Sequence, residues 1–259
     1  ANFKAMQSAL PDFELGTCES MDKHLSNMRR IKSAKEVNSI LAAQSIAEAA
    51  FDHILGFIRE GVTDIEIAAE LEYVMRRKGA EAMSFPTIAV SGANSSVPHG
   101  VPTAKKVAAG DFVTMDFGAV VEGCHSDMTR TVALGYATDK MKEVYNLVLA
   151  ANLAAEKAVI KGAKCSLVDK AARDVIENGG YGKYFTHSTG HSLGLQIHEV
   201  PSLSPKSEQV LSVGNIVTDE PGIYIDSEFG VRIEDMLLVT ENGVLNLTNY
   251  PKNLVILNN

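Results

Sequence analysis

The sequence predicts an α+β domain, with pairs of helices packed on a mostly antiparallel sheet. Three observations predict it. Helical and strand-like runs alternate in blocks of two helices, strands, two helices, strands. Neighbouring strand-like runs are joined by short turns, which suit antiparallel pairing. The two strand blocks also share a residue pattern.

Taken in order, residues 1–30 read as irregular, with Pro11, Gly16 and few periodic apolar positions. They are expected to be a linker or the remnant of a preceding domain, with the main domain at 31–259. A helix starts at Ser33, where Ser33-Ala34-Lys35-Glu36 forms a capping box. It runs to about Glu60 and is stopped by Gly61. A second box, Thr63-Asp64-Ile65-Glu66, opens a helix that ends near Gly79. Helical patterns recur at 138–161 and 166–178, closed by Gly162 and by Gly179-Gly180. Strand-like runs fill 85–90, 112–121, 125–134, 216–225, 231–240 and 254–257, and Glu241-Asn242-Gly243 signals a tight turn.

The shared pattern is Gly-x-apolar-Val-Thr-x-acid-x-Gly. It occurs at Gly110 to Gly118 with Asp116, and at Gly214 to Gly222 with Glu220. Upstream, His99-Gly-Val-Pro102 lines up with His198-Glu-Val-Pro201. Each block is preceded by two helices. The pattern predicts a duplicated half-domain with approximate twofold symmetry, whose halves present their acids to one central site.

Those acids stand where acids are unfavourable. Asp116 sits in the apolar run Phe112 to Phe117, and Asp127 follows before Met128 to Val132. A turn centred between Val121 and Glu122 would put Asp116 opposite Asp127, and a turn one residue later would make them diagonal neighbours on one face. Glu220 and Glu234 are centred on Ser227 and should oppose each other across a second hairpin. Like charges paired across strands destabilise a sheet, and burial sharpens the conflict. A solvated face, a shared proton or bound cations would each resolve it. Two hairpins with two acids each suggest two cations. The segment His187-Ser-Thr-Gly-His191 to His198-Glu199 adds three of the seven histidines. Imidazole beside carboxylates suits Mn, Co, Zn or Fe rather than Ca or Mg.

Composition narrows the classes. Apolar residues are 46% and charged residues 22%, ordinary for a globular protein. A net charge of −8 argues against a general nucleic-acid binder. Cys18, Cys124 and Cys165 are odd in number and lack a C-x-x-C pattern, which fits a reducing compartment. No apolar run approaches a membrane span and the N-terminus has no signal-peptide core, so a cytoplasmic location is expected, away from membranes.

Together, Asp116 and Asp127 at their spacing, His191 before His198, Glu220 in Glu-Pro-Gly-Ile-Tyr224 and Glu234 in Gly230-Val-Arg-Ile-Glu-Asp235 resemble the pita-bread metallopeptidases. That family includes Xaa-Pro aminopeptidase, Xaa-Pro dipeptidase and methionine aminopeptidase. The resemblance covers residues 30–257, and Gly230 to Asp235 resembles the proline-peptidase branch. It implies the pseudo-twofold pita-bread fold, a curved sheet with helices on its outer face, and a metallo-exopeptidase acting on peptides with proline at the second position. It also implies two divalent ions, Mn first, and a homodimer. Asp116 would bind one ion, His191 with Glu220 the other, and Asp127 and Glu234 both. A hydroxide bridging the ions would be the nucleophile, with Glu220 as general base. His99, His187 and His198 would hold substrate and stabilise the intermediate, and Arg232 would orient a ligand carboxylate. A methionine aminopeptidase-like enzyme and a non-catalytic peptide-binding module of the same fold are the alternatives.

Overall fold

The computed structural model describes residues 3–13, 16 and 19–258, so Cys18 lies outside the described residues. Helices α1 (Phe3–Ala9), α2 (Glu19–Arg30), α3 (Ala34–Phe57) and α4 (Asp64–Arg77) come first. Strands β1 (Ala82–Met83), β2 (Ile88–Ser91), β3 (Phe112–Phe117), β4 (Ala119–Val121), β5 (Cys124–His125) and β6 (Met128–Leu134) follow. Then come helices α5 (Asp139–Ala158) and α6 (Cys165–Asn178). The chain ends with β7 (Gly190–Ser192), β8 (Glu199–Leu203), β9 (Ile216–Asp219), β10 (Gly222–Ile225), β11 (Phe229–Arg232), β12 (Asp235–Thr240), β13 (Gly243–Asn246) and β14 (Ile256–Leu257).

Both capping boxes form. The Ser33 hydroxyl accepts the Glu36 N–H at 3.3 Å while the Glu36 carboxylate accepts the Ser33 N–H at 2.8 Å. Thr63 and Glu66 repeat the exchange at 3.2 and 2.8 Å. Each box satisfies amides that a helix start leaves without partners. The irregular reading of the first thirty residues is corrected, since α1 and α2 occupy much of that stretch. Met21, Leu25 and Met28 recur at helical spacing in α2, and Arg29 and Arg30 suit its C-terminal dipole.

The duplication is explicit in the topology. One sheet runs β14-β6-β3-β2 and another β13-β12-β9-β7-β8. In each, a hairpin (β3 with β6, β9 with β12) is flanked by a strand from earlier in the chain (β2, β7) and by one from later (β14, β13). Each half has its own core. Phe51, Ile54, Leu71 and Met75 of α3 and α4 pack with Val113, Met115 and Phe117. Val144, Val148, Val168 and Ile176 of α5 and α6 pack with Val217, Leu237 and Val239. Each such buried side chain contributes about 1.5–3 kcal/mol by its removal from water. The β14–β6 pair is parallel, and β1, β7, β8 and β13 were not anticipated as strands. Among the described residues, no helix is long and apolar enough to cross a membrane.

The long predicted strands break near the acids, yet their registers run through the breaks. Phe117↔Met128, Val120↔His125 and Val121↔Cys124 share one register, centred between Glu122 and Gly123. Both turn residues have left-handed φ, 48° and 72°, as a two-residue type I′ turn requires. Asp219↔Asp235 and Gly222↔Arg232 likewise share a register, centred on Ser227.

Candidate metal centre

These registers deliver the acids. Glu220 and Glu234 occupy facing positions in the gap between the β9–β12 and β10–β11 ladders, as the turn at Ser227 predicts. Asp116 faces Thr129, which makes Asp127 its diagonal neighbour. The later of the two turn placements is therefore the one adopted. His191 comes from β7, which pairs with β9 through Ser192↔Val217. A Cβ at Gly190 would lie 2.0 Å from the Thr218 carbonyl oxygen, so glycine is needed for β7 to approach β9 this closely.

The five residues converge. His191 Nε2 lies 3.6 Å from Asp127 Oδ2 and 3.4 Å from Glu220 Oε1. One donor atom each from Asp127, His191 and Glu234 falls within a 4.8 Å span. With Asp116 they line a cavity of about 510 Å³. His99, His187 and His198 line it too, so the paired His-x-Val-Pro segments both reach the site. Phe85, Pro86, Ile88, Val101 and Pro102 supply apolar walls.

The electrostatics are those of a site short of positive charge. Burial, then Glu234 and Asp116, pushes the Asp127 carboxyl well above the usual carboxylate range. Burial, then Glu220 and Asp116, does the same to Glu234. Burial raises Glu220 to about 7. Burial lowers His191 and His198, favouring neutral rings. Asp116 Oδ1, Asp127 Oδ1 and Glu234 Oε1 are buried without a hydrogen-bond partner among the described residues. Three orphaned carboxylate oxygens around a neutral imidazole nitrogen are an unfavourable arrangement for a fold and a fitting donor set for a divalent transition metal.

Three of the other carboxylate oxygens are held by hydrogen bonds. Arg232 Nη2 donates to Asp116 Oδ2. Thr218 Oγ1 donates to Glu220 Oε1 at 3.1 Å and accepts the His191 N–H at 3.0 Å. Thr129 Oγ1 donates to Glu234 Oε2 at 2.6 Å. His187 Nδ1 faces the Ser188 carbonyl at 2.8 Å, so that nitrogen carries the proton. Its Nε2 then accepts from the Tyr224 hydroxyl at 2.8 Å, and Tyr224 accepts from Arg232 Nη1 at 2.8 Å. Burial, then the Arg232 charge, lowers His187 to about 3. His187 thus has both ring nitrogens engaged, whereas no hydrogen bond to the rings of His99 or His198 is present among the described residues.

Sequence reasoning passed over Tyr224, Thr129 and Thr218. Tyr224 stood in view at the end of Glu-Pro-Gly-Ile-Tyr. Thr218 is the shared threonine of the repeated Gly-x-apolar-Val-Thr-x-acid-x-Gly pattern, whereas Thr129 gives no signal in sequence beyond its place in the paired strands.

A sequence model of metallopeptidase family M24 matches residues 38–241. An uncharacterised peptidase of Bacillus subtilis is 44% identical over 256 residues, 98% of this chain and 71% of that protein. The Xaa-Pro dipeptidase of Pyrococcus horikoshii is 42% identical over 237 residues, 92% of this chain and 68% of that protein. Among solved structures, the X-Pro aminopeptidase of Thermotoga maritima superposes with a TM-score of 0.91 at 40% identity, covering 98% of this chain and 71% of that one. The Xaa-Pro dipeptidase of Bacillus anthracis superposes at 0.89 with 49% identity, covering 90% and 66%. The α+β architecture with its duplicated halves is thus the pita-bread fold, and this chain belongs to metallopeptidase family M24.

Proposed function

We propose that this chain is a two-metal exopeptidase that removes the N-terminal residue from peptides with proline at the second position. The carrying observation is the cluster of four buried or partly buried carboxylates around His191, three of them with an unpartnered oxygen. If ionised, the four carboxylates against Arg232 leave three negative charges in a site largely closed to water. One divalent ion would leave one, whereas two would leave a single positive charge. Asp116, Asp127, His191, Glu220 and Glu234 would hold the ions, with Mn the first expectation. Bound divalent ions would acidify water and polarise the scissile carbonyl.

The chain's own groups would do the rest. Glu220, whose carboxylate faces the cavity 3.4 Å from His191 Nε2, would take up and return the proton of the attacking water. His99 and His198, with free ring nitrogens, would contact the peptide on either side of the scissile bond. His187 would act through Tyr224, holding that hydroxyl and Arg232 in line with Asp116. The apolar walls at Phe85, Pro86 and Ile88 would exclude water and receive apolar substrate groups. The proline preference is supported by the Xaa-Pro peptidases among the relatives.

The test is hydrolysis of Xaa-Pro, Xaa-Pro-Yaa and Met-Ala-Yaa peptides with Mn²⁺, with and without chelator. Chelator-sensitive release of Xaa from proline peptides is expected, and the preferred length separates dipeptidase from aminopeptidase. Cleavage of Met-Ala-Yaa alone would overturn the proline assignment.

A further inference from the structure

Lys32 and Glu199 form a buried ion pair, Nζ to Oε2 at 2.7 Å, with side chains only 1% and 4% exposed. Lys32 is fixed from both ends. Its ammonium also donates to the Arg29 carbonyl at 2.6 Å, and its backbone N–H donates to the Gly214 carbonyl at 2.9 Å. Glu199 uses its second oxygen, Oε1, to accept the Gln196 N–H at 3.1 Å. That bond folds the short segment 194–199 onto its own end.

The same segment touches the metal centre. Gly194 donates to the Gln196 carbonyl at 3.0 Å and accepts the His125 N–H at 2.8 Å, two residues before Asp127. His198 immediately precedes Glu199, and its ring stands edge-on to His191 with centroids 4.4 Å apart. A Cβ at Gly194 would lie 2.9 Å from Lys32 Cε and 3.1 Å from Glu199 Oε2, so a side chain there would crowd the pair. The segment is therefore gripped on one side by Glu199 and bears on His191 on the other.

A buried ion pair gives little net stability, because desolvation offsets its attraction, although removing one partner strands a charge. What this pair supplies is a defined geometry for the segment it grips. We propose that Lys32 is a positioning residue for His198. Its ammonium fixes Glu199, Glu199 fixes the bend at Gln196, and the bend sets where the His198 ring stands against His191. The proposal rests on the reading of His198 as a substrate-side residue. It also brings the stretch ahead of the family match at 38–241 into the working of the site.

The test uses Lys32→Met, Glu199→Gln and the conservative Lys32→Arg in the metal-loaded protein. Lys32→Met and Glu199→Gln should each lower kcat on an Xaa-Pro-Yaa peptide about 10–100-fold, with bound metal per chain unchanged and Lys32→Arg recovering much of the loss. Combining Lys32→Met with Glu199→Gln should cost little more than either alone, because both cut one linkage. A second readout needs no turnover. In metal-free protein labelled at histidine rings with ¹³C, the His198 resonance, assigned by its loss in His198→Gln, should shift or split in Lys32→Met. An unchanged kcat per folded, metal-loaded molecule together with an unmoved resonance would overturn the proposal. Should Lys32→Met fail to fold, Glu199→Gln, which keeps the shape but can accept only one of the two hydrogen bonds, decides by the same two readouts. Should the unaltered protein cleave no proline peptide, the functional reading falls, and the resonance alone decides whether Lys32 positions His198.

Discussion

Thr129 holds Glu234 twice. Its carbonyl accepts the Glu234 backbone N–H at 3.1 Å, and its hydroxyl donates to Glu234 Oε2 at 2.6 Å. Thr129 belongs to the first hairpin and Glu234 to the second, so the two halves are joined at the site itself. The same hydroxyl accepts from Arg232 Nε at 3.0 Å. Thr129→Val, equal in shape, should cost about 1–3 kcal/mol for the groups left unpaired. It should also weaken metal binding about 10–100-fold. Thermal unfolding and metal titration measure the two effects separately.

The Arg232 side chain links four partners at the site. It donates to Asp116, to Thr129, to Tyr224 and to the Pro98 carbonyl, the last at 3.0 Å. Arg232→Met removes a buried cation that faces Asp116, and stranding such a charge costs about 3–5 kcal/mol. Because Mn²⁺ can itself compensate Asp116, the loss in Tm should be larger in metal-free than in metal-loaded protein. Equal losses in the two states would contradict the electrostatic account.

The pH dependence of stability follows from the raised carboxyls. Folded, Glu220 titrates at about 7, and Asp127 and Glu234 lie well above the ordinary range. In an unfolded chain such groups titrate at about 4. Their protonated forms therefore stabilise the metal-free fold fully below about pH 4, and that contribution is lost as pH rises through their raised folded values, about 7 for Glu220. His187 runs the other way. Lowered to about 3, it contributes stability above about pH 6.5 that is lost as pH falls toward 3. Metal displaces protons from the carboxylates, so the rise in Tm caused by Mn²⁺ should widen from pH 5 to pH 8. A gap independent of pH would count against these carboxylates as the metal-binding groups.

His198→Ala should lower kcat while leaving metal content unchanged, because its ring abuts His191 without joining the carboxylate cluster. Metal loss in that variant, measured by elemental analysis, would sink the assigned role.

Much of this was legible in the sequence, for physical reasons. Acids in apolar strand runs conflict with strand chemistry, and that conflict marked Asp116, Asp127, Glu220 and Glu234. The two-residue periodicity of strands then put each pair on one face. The capping boxes fixed the starts of α3 and α4 through local hydrogen bonds alone. What stayed hidden depends on contacts distant in sequence. β7 is three residues long and opens on a glycine, β8 carries a proline, and both are recognisable only once β9 and β7 lie beside them. Thr129 holds Glu234 across 105 positions, and Lys32 meets Glu199 across 167. Neither pairing leaves a local pattern. α2 was missed because its apolar positions are few, only Met21, Leu25 and Met28 among polar and charged neighbours, too thin a stripe to read as a core face.

The most direct test is calorimetric titration of Mn²⁺ into chelator-stripped protein at pH 7.5, with stoichiometry confirmed by elemental analysis. Two ions per chain are predicted, falling in Glu234→Ala and in Asp127→Ala, each of which would remove a shared ligand. One ion in the unaltered protein, or undiminished binding in those variants, would contradict the two-metal centre.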